Sequence, residues 1–403
     1  MKWEKVKLGD IATFSNGINF NKTAYAKGIK LIGVSNFGDR FYPDYSQLQE
    51  VKKDIVRLED CLRNGDIVFV RSNGNKELVG RCMLVKNPTE RVTYSGFCIR
   101  ARLNDTDRYD PVYFTYYFKS KAFRRAVSGT AVGANIQNLS QARLSNHECR
   151  IPSIEVQHRI ADILSVYDNL IENNQKQIKL LEEAAQRLYK EWFVDLCFPG
   201  HENTEIVDGV PEGWSKSTVS EVSAVLRRGI SPKYNEKARG IVINQKCIRQ
   251  TIVSYDEART QEKKYPAELE MMESDIVICS TGAGTLGRVG QIFEAKGNAT
   301  LDSHVTLIRA DEKIGQQSLF WSLKMKQDYL MNAGKGSTNQ LELSRETIGN
   351  CKILIPERKI AEQAEKNFVA IHNKMKECTM QIARLRETRD LLLPKLMSGE
   401  VEV

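Results

Sequence analysis

Two stretches of the chain place apolar residues at alternating steps of four and three. The first runs through Ile160, Leu164, Tyr167, Ile171, Asn174, Ile178, Leu181, Ala185, Leu188 and Trp192. The second runs through Ala364, Phe368, Ile371, Met375, Cys378, Ile382, Leu385, Arg389, Leu392 and Leu396, each 204 positions later. A repeat of 3.5 residues keeps one stripe facing a partner helix, so this spacing predicts two coiled-coil helices in one heptad register. Forty helical residues span roughly 60 Å at about 1.5 Å each. Asn174 is the one polar seam residue of the first helix; it either fixes register at some cost in stability or sits at a solvent edge.

Ahead of each helix the pattern changes to short β-rich runs: Ile67–Val70, Arg81–Val85, Ile241–Ile243 and Asp275–Cys279, with helical patches at Val112–Ala126 and Gln317–Leu330. Strands mixed with helices, without regular βαβ alternation, predict α+β domains. The two halves also repeat each other. Trp3 with Leu8 matches Trp214 with Val219, Gly65-Asp-Ile-Val-Phe-Val matches Ser274-Asp-Ile-Val-Ile-Cys, and Leu78-Val-Gly-Arg81 matches Thr285-Leu-Gly-Arg288. From Asn135 and Asn339 onward the offset is fixed at 204, through Ile151-Pro152 and Ile355-Pro356. Small insertions in surface loops account for the drift before that point.

The expected organisation is a first domain over 1–152, a spacer helix over 153–195, a linker over 196–212, a second domain over 213–356 and a second spacer helix over 357–398. Pro, Gly and acidic residues mark the linker, and Pro394 is expected to end the second helix. The simplest closure pairs the helices antiparallel, separating two domains related by a pseudo-twofold axis.

The composition, 41% hydrophobic and 27% charged, is that of a folded globular chain. No run of eighteen apolar residues and no apolar leader occurs, so a cytoplasmic, membrane-free protein is expected. Nine cysteines without a Cys-x-x-Cys pair argue against a disulfide framework or zinc site. The net charge of +8 is unevenly spread. Residues 1–152 carry 25 Lys and Arg against 15 Asp and Glu, whereas 201–356 carry 20 of each. The first domain therefore suits a polyanion, and the second needs a local basic face to do so.

Catalytic patterns fail on context. Gly282-Ala-Gly-Thr-Leu-Gly287 matches a dinucleotide fingerprint, but the following Arg288-Val-Gly-Gln-Ile-Phe reads as a strand rather than the helix that fingerprint needs. Asp275 with Glu294 and Lys296 resembles a nuclease triad only loosely. There is no phosphate-binding Gly-x-x-x-x-Gly-Lys-Ser/Thr loop and no Asn/Asp-Pro-Pro-Tyr/Phe segment of a base-extruding methyltransferase. His147, His158, His201, His304 and His372 are scattered, pairing with no nucleophile in sequence. A binding protein remains, and DNA reading calls on Arg, Lys, Asn, Gln, Ser and Thr. The loop candidates are Arg71, Ser72, Asn73, Asn75, Lys76, Arg81, Asn135, Gln137 and Asn138 in the first half. In the second they are Ser280, Thr281, Thr285, Arg288, Lys335, Ser337, Thr338, Asn339 and Gln340. The loops at 129–138 and 334–340 hold equivalent places in the repeat but differ in sequence, as two readers of different half-sites would.

Ile151-Pro-Ser-Ile-Glu-Val-Gln-His-Arg-Ile-Ala-Asp-Ile-Leu164, Asp168-Asn-Leu-Ile-Glu-Asn-Asn174, Leu188-Tyr-Lys-Glu-Trp-Phe193 and Leu392-Leu-Pro-Lys-Leu-Met-Ser-Gly-Glu-Val401 resemble the specificity subunits of Type I restriction-modification systems. The resemblance covers essentially the whole chain. It implies two target-recognition domains, each binding one half of a bipartite site in double-stranded DNA, with helices that set the gap and dock two methyltransferase subunits. Restriction subunits join that core. No cofactor is implied in this chain: S-adenosylmethionine, ATP and Mg²⁺ would serve the partner subunits, and this chain would be non-catalytic. The second helix opens Pro356-Glu-Arg-Lys rather than with the family's proline-then-glutamine, leaving its start open. Two alternatives stand beside this: the specificity component of a related restriction system, and a coiled-coil scaffold that reads no sequence.

Overall fold

The computed structural model describes residues 3–38, 40–75, 78–127, 137–282, 284–334 and 341–403. The chain divides into two compact units, 1–173 with 382–403, and 174–381. Unit 1 contains β1 (Glu4–Lys7), β2 (Ala12–Asn16), β3 (Tyr25–Ile32), β4 (Gln49–Val51), β5 (Ile67–Val70), β6 (Ser72–Asn73), β7 (Cys82–Leu84), β8 (Val92–Tyr94), β9 (Cys98–Leu103), β10 (Gln137–Asn138) and β11 (Glu148–Ile151). Its helices are α1 (Leu8–Ile11), α2 (Pro111–Lys119), α3 (Lys121–Val127) and α4 (Gln141–Ser145). One sheet has the order β2-β9-β5-β7, a second β4-β3-β8, and β1 pairs with β11.

Unit 2 contains β12 (Ile206–Val207), β13 (Val210–Pro211), β14 (Ser215–Thr218), β15 (Ser223–Arg228), β16 (Gly240–Ile243), β17 (Arg259–Gln261), β18 (Ile276–Cys279), β19 (Val289–Gln291), β20 (Ala299–Leu301), β21 (Val305–Ala310) and β22 (Lys352–Ile355). Its sheets have the orders β15-β21-β18-β19 and β17-β16-β20, and β14 pairs with β22. This is the strand order of unit 1 repeated, down to the parallel pairs β3/β8 and β16/β20. The fold class is α+β.

The unbroken apolar runs of β5 and β18 follow from burial on both faces. Ile67 and Phe69 enter the core lined by α2, while Val68 and Val70 enter the core under the second sheet. Ile276 and Ile278, then Val277 and Cys279, divide in the same way. Beside each central strand lies a bidentate ion pair. Arg102 donates through Nε and Nη2 to the Asp66 carboxylate at 2.7 Å each. Arg309 does the same to Asp275 at 2.6 and 2.8 Å. Both carboxylates also accept a backbone N–H, from Arg63 and Met272, at 2.7 Å.

The helical patches form with one break each. Asp110 caps α2 by accepting from Val112 N, Pro111 occupies its first turn, and Ser120 separates α2 from α3. Lys326 likewise separates α6 (Gln316–Met325) from α7 (Gln327–Asn332). A short α8 (Arg345–Gly349) precedes β22.

The long helices are α5 (Ile154–Tyr189), extended by a wider turn over Lys190–Val194, and α9 (Arg358–Ser398). Within unit 1, Ile160 and Leu164 of α5 share a core with Leu392, Leu393 and Leu396 of α9. Within unit 2, Ala185 and Tyr189 share one with Ile360, Ala364 and Phe368. Asp168 pairs with Arg389 in unit 1 and Gln177 with Cys378 in unit 2, so within each unit later residues of α5 meet earlier residues of α9 and the segments run antiparallel. Ile171, Asn174, Phe368, Met375, Cys378 and Ile382 are buried; Tyr167, Ile178, Leu181, Leu188, Ile371 and Leu385 are half-buried. Arg389, the basic residue in the second stripe, is satisfied by the buried Asp168, which also accepts from Tyr116 OH at 2.6 Å.

Pro394 does not end α9, contrary to the expectation from sequence. The helix continues to Ser398, because a proline this near the end removes a single backbone bond while Leu393 and Leu396 stay buried. Gly399 terminates it at φ 75°, with Glu400 N donating to Lys395 O at 3.0 Å, a glycine C-cap. The linker region also carries more order than its composition predicts. β12 and β13 form a hairpin whose turn residues Asp208 and Gly209 have φ 51° and 71°, the backbone an Asp-Gly turn favours.

Candidate nucleic-acid interface

β5 and β18 each run out into a glycine-containing hairpin that returns as β7 or β19. Gly80 and Gly287 close these hairpins at φ 81° and 74°, donating to Val70 O and Cys279 O at 2.9 and 2.8 Å. The Gly282–Gly287 motif is thus the connection between two antiparallel strands, not the entrance to a helix.

In unit 1 the outgoing segment meets the return from the second candidate loop. Ser72 and Asn73 pair with Asn138 and Gln137, and the buried Leu139 donates to Arg71 O at 2.9 Å. Residues 71–75 and 137–138 therefore form one corner. Unit 2 repeats it: Thr281 bridges to Glu342, and Leu343 donates to Ser280 O at 2.8 Å. There Arg228 braces the return, pairing with Glu342 and donating to Leu343 O at 2.9 Å.

The side chains proposed from sequence differ in what they present. Asn75 and Asn138 are exposed, whereas Arg71, Ser72, Asn73 and Arg81 are half-buried. Arg71 Nη1 donates to Gly96 O at 3.1 Å, and Asn73 Oδ1 accepts from Asn75 N at 2.7 Å. Thr281 Oγ1 bonds His304 Nδ1 at 2.6 Å, Thr285 Oγ1 donates to Thr281 O at 3.1 Å, and Arg288 Nη2 donates to Gly284 O at 2.6 Å. Ser280 is fully buried, its hydroxyl bonded to Thr306 at 2.6 Å, so in this fold it presents nothing to a ligand. Lys76, Asn135, Lys335, Ser337, Thr338, Asn339 and Gln340 lie outside the described residues, and Gln137 is placed by its backbone pairing alone.

Sequence reasoning passed over groups that only folding brings to these corners. Lys121, Arg124 and Arg125 lie on α3, which leads into the 128–136 segment, and Arg143 Nη1 donates to Val127 O at 3.0 Å where that segment departs. A basic helix turn just before a Gly/Asn-rich stretch was the available signal.

Among the described residues no cluster of three His, Cys, Asp or Glu could hold a metal. Asp275 is engaged by Arg309, while Lys296 Nζ lies 4.4 Å from the Tyr255 ring centroid. Burial pushes the Cys98 and Cys279 thiols up to about 12, so both stay protonated near neutrality and are poor nucleophiles. What the described corners offer is hydrogen-bonding side chains on paired backbone segments.

This architecture is a duplicated α+β unit, each copy joined to segments of two long helices. The family model for the Type I restriction modification DNA specificity domain matches residues 1–183 and again 211–374. The chain belongs to that family. It is 25% identical to the Type I restriction enzyme HindI specificity subunit of Haemophilus influenzae, with 99% of each chain covered. It is 27% identical to the MjaIX specificity subunit of Methanocaldococcus jannaschii, over 81% of this chain and 76% of that one. In fold it is similar to the Type I restriction-modification S subunit of M. genitalium, with a TM-score of 0.58, 18% identity, and coverage of 98% of this chain and 96% of that one. No helix among the described residues is long and apolar enough to cross a membrane.

Proposed function

We propose that this chain is the sequence-reading, non-catalytic subunit of a cytoplasmic Type I restriction-modification complex. Each unit reads one half of a split site in double-stranded DNA through its loop corner, and the long helices set the gap between halves. Two methyltransferase subunits dock on the helices and restriction subunits join them. S-adenosylmethionine, ATP and Mg²⁺ act on those partners. One observation carries this reading: the family's domain occurs twice, on one framework, with different residues at the two corners. On α5, Ile163, Val166 and Leu170 are exposed at helical spacing on the face away from the buried Ile160, Leu164 and Ile171, an apolar stripe suited to a partner subunit.

Methylation-motif sequencing of DNA from cells making this chain with its methyltransferase tests the proposal. A split motif with a fixed gap, absent when the methyltransferase is made alone, is the expected result. A continuous motif, or an unchanged one without this chain, would assign sequence reading elsewhere and leave a scaffold.

A further inference from the structure

The turn before β9 in unit 1 and the turn before β21 in unit 2 are built alike, and each borders a loop corner. Ser95-Gly96-Phe97 joins β8 to β9, and Asp302-Ser303-His304 joins β20 to β21. Cys98 N donates to Ser95 O at 2.8 Å and Val305 N to Asp302 O at 3.1 Å, closing both turns. Phe97 O and His304 O then accept from Arg71 N and Ser280 N, at 2.8 Å each. In unit 1 the Arg71 guanidinium adds its bond to Gly96 O. A Cβ on Gly96 would stand 2.0 Å from Asn19 Oδ1, so the turn is packed from its other side as well. The backbone is held in the same place in both units while the side chain at its tip changes from phenyl to imidazole.

Phe97 is 63% exposed, forgoing much of the ~1.5–3 kcal/mol that burying its ring provides. A single exposed apolar residue is ordinary; its placement is what matters here. Ser72 N approaches Phe97 O at 3.4 Å, and Ser72 pairs with the exposed Asn138, so the Phe97 backbone is part of the corner formed by residues 71–75 and 137–138, and its side chain is exposed there. In unit 2 the exposed His304 bonds Thr281, the counterpart of Ser72. Framework positions keep their residues across the repeat, as with Asp66 and Asp275 or Arg102 and Arg309. This position keeps its backbone and changes its chemistry, as a reader of two different half-sites must.

We infer that this turn position is a specificity-determining element of each corner, additional to the loops: Phe97 makes apolar contact with a thymine methyl in the half-site of unit 1, and His304 hydrogen-bonds a base edge in that of unit 2. The inference rests on the DNA-reading function proposed above. A phenyl ring can distinguish thymine by its 5-methyl group, and a hydrogen-bonding imidazole reads polar base edges.

The full chain in complex with its methyltransferase is assayed by gel shift on duplexes carrying the split motif, with thymines of the unit 1 half-site replaced in turn by deoxyuridine. Wild type is expected to bind one deoxyuridine duplex several-fold more weakly than its thymine parent. Phe97→Ala is expected to bind the parent roughly tenfold more weakly and to lose that sensitivity, the size of one specific base contact. Asn75→Ala and Asn138→Ala serve as loop controls, with circular dichroism verifying each fold. Loop variants that weaken binding while Phe97→Ala binds as wild type would overturn the Phe97 assignment and leave the reading function standing. Neither set altering binding or motif would remove the corner from DNA reading altogether. A half-site without thymine, or one indifferent to deoxyuridine, would also overturn the thymine contact.

Discussion

The helix entering the loop corner of unit 1 carries Lys121, Arg124 and Arg125; its counterpart in unit 2 carries Asp328, Tyr329 and Met331, the last two exposed. The flanking frames are nearly superimposable in their bonding, with the same strand order, the same bidentate ion pair and the same closing glycine. One scaffold thus supports two kinds of surface. Unit 1 places three basic side chains on the helix before its corner, whereas the matching helix of unit 2 carries none, and the corner side chains described in unit 2 bond one another. The difference teaches that framework and reader are separable: what is shared holds the corner, and what differs gives it content.

If the framework is truly common, its ion pairs are equally important in both units. Arg102→Leu and Arg309→Leu each leave a buried carboxylate uncompensated, at a cost of ~3–5 kcal/mol. Chemical denaturation following each unit should give similar losses; a loss confined to one unit would break the equivalence.

The closing glycines sharpen the comparison, because they share a conformation but not surroundings. A Cβ at Gly287 would stand 2.4 Å from Met331 N, whereas at Gly80 the nearest atom is a Val127 methyl at 3.8 Å. Gly287→Ala is expected to cost about 2–4 kcal/mol from strain and overpacking together, and Gly80→Ala about 1–2 from backbone strain alone. Thermal unfolding of the two variants reads the ordering directly.

Burial lowers the pKa of a histidine in each unit, His147 and His372, and the shift is large in unit 2. His372 of α9 is buried against the Phe293 ring, with Nδ1 3.0 Å from Gln291 Oε1 and Nε2 3.5 Å from Ser274 Oγ; Glu273 and Lys376 are the nearby charges. Burial lowers its pKa to about 4. Folding therefore favours the neutral ring, so this contribution is present above about pH 6.5 and is lost as pH falls toward 4. Wild type should lose about 2–3 kcal/mol more than His372→Gln between pH 7 and 4.5. Equal pH profiles would contradict the assignment.

The smallest effect concerns charge. Lys121→Ala and Arg125→Ala should each weaken DNA binding by ~1 kcal/mol or less and reduce the salt slope by about one, regardless of half-site sequence. A change in the methylated motif would instead make them base readers.

Periodic features were legible in the sequence because they are local. The heptads of α5 and α9, the apolar runs of β5 and β18 and the repeat itself all follow from spacing. The pairing of β3 with β8 was hidden, as was the bond from Arg102 to Asp66, 36 residues away. These depend on which surfaces close together. Ser280 illustrates the same limit at the candidate site: a hydroxyl in a Gly/Thr-rich loop reads as exposed, yet the last turn of the strand takes it into the core. Phe97 was missed for the opposite reason, since a phenylalanine next to a strand reads as core. Pro394 shows a strong local rule yielding to burial of its neighbours.

The most direct test of separable framework and reader is to exchange residues 213–352 for the matching segment of a family member with a different target, then sequence the methylation motif produced with the methyltransferase. The account predicts that one half-site changes to that of the donor while the other half-site and the gap remain. A change in both half-sites would contradict it.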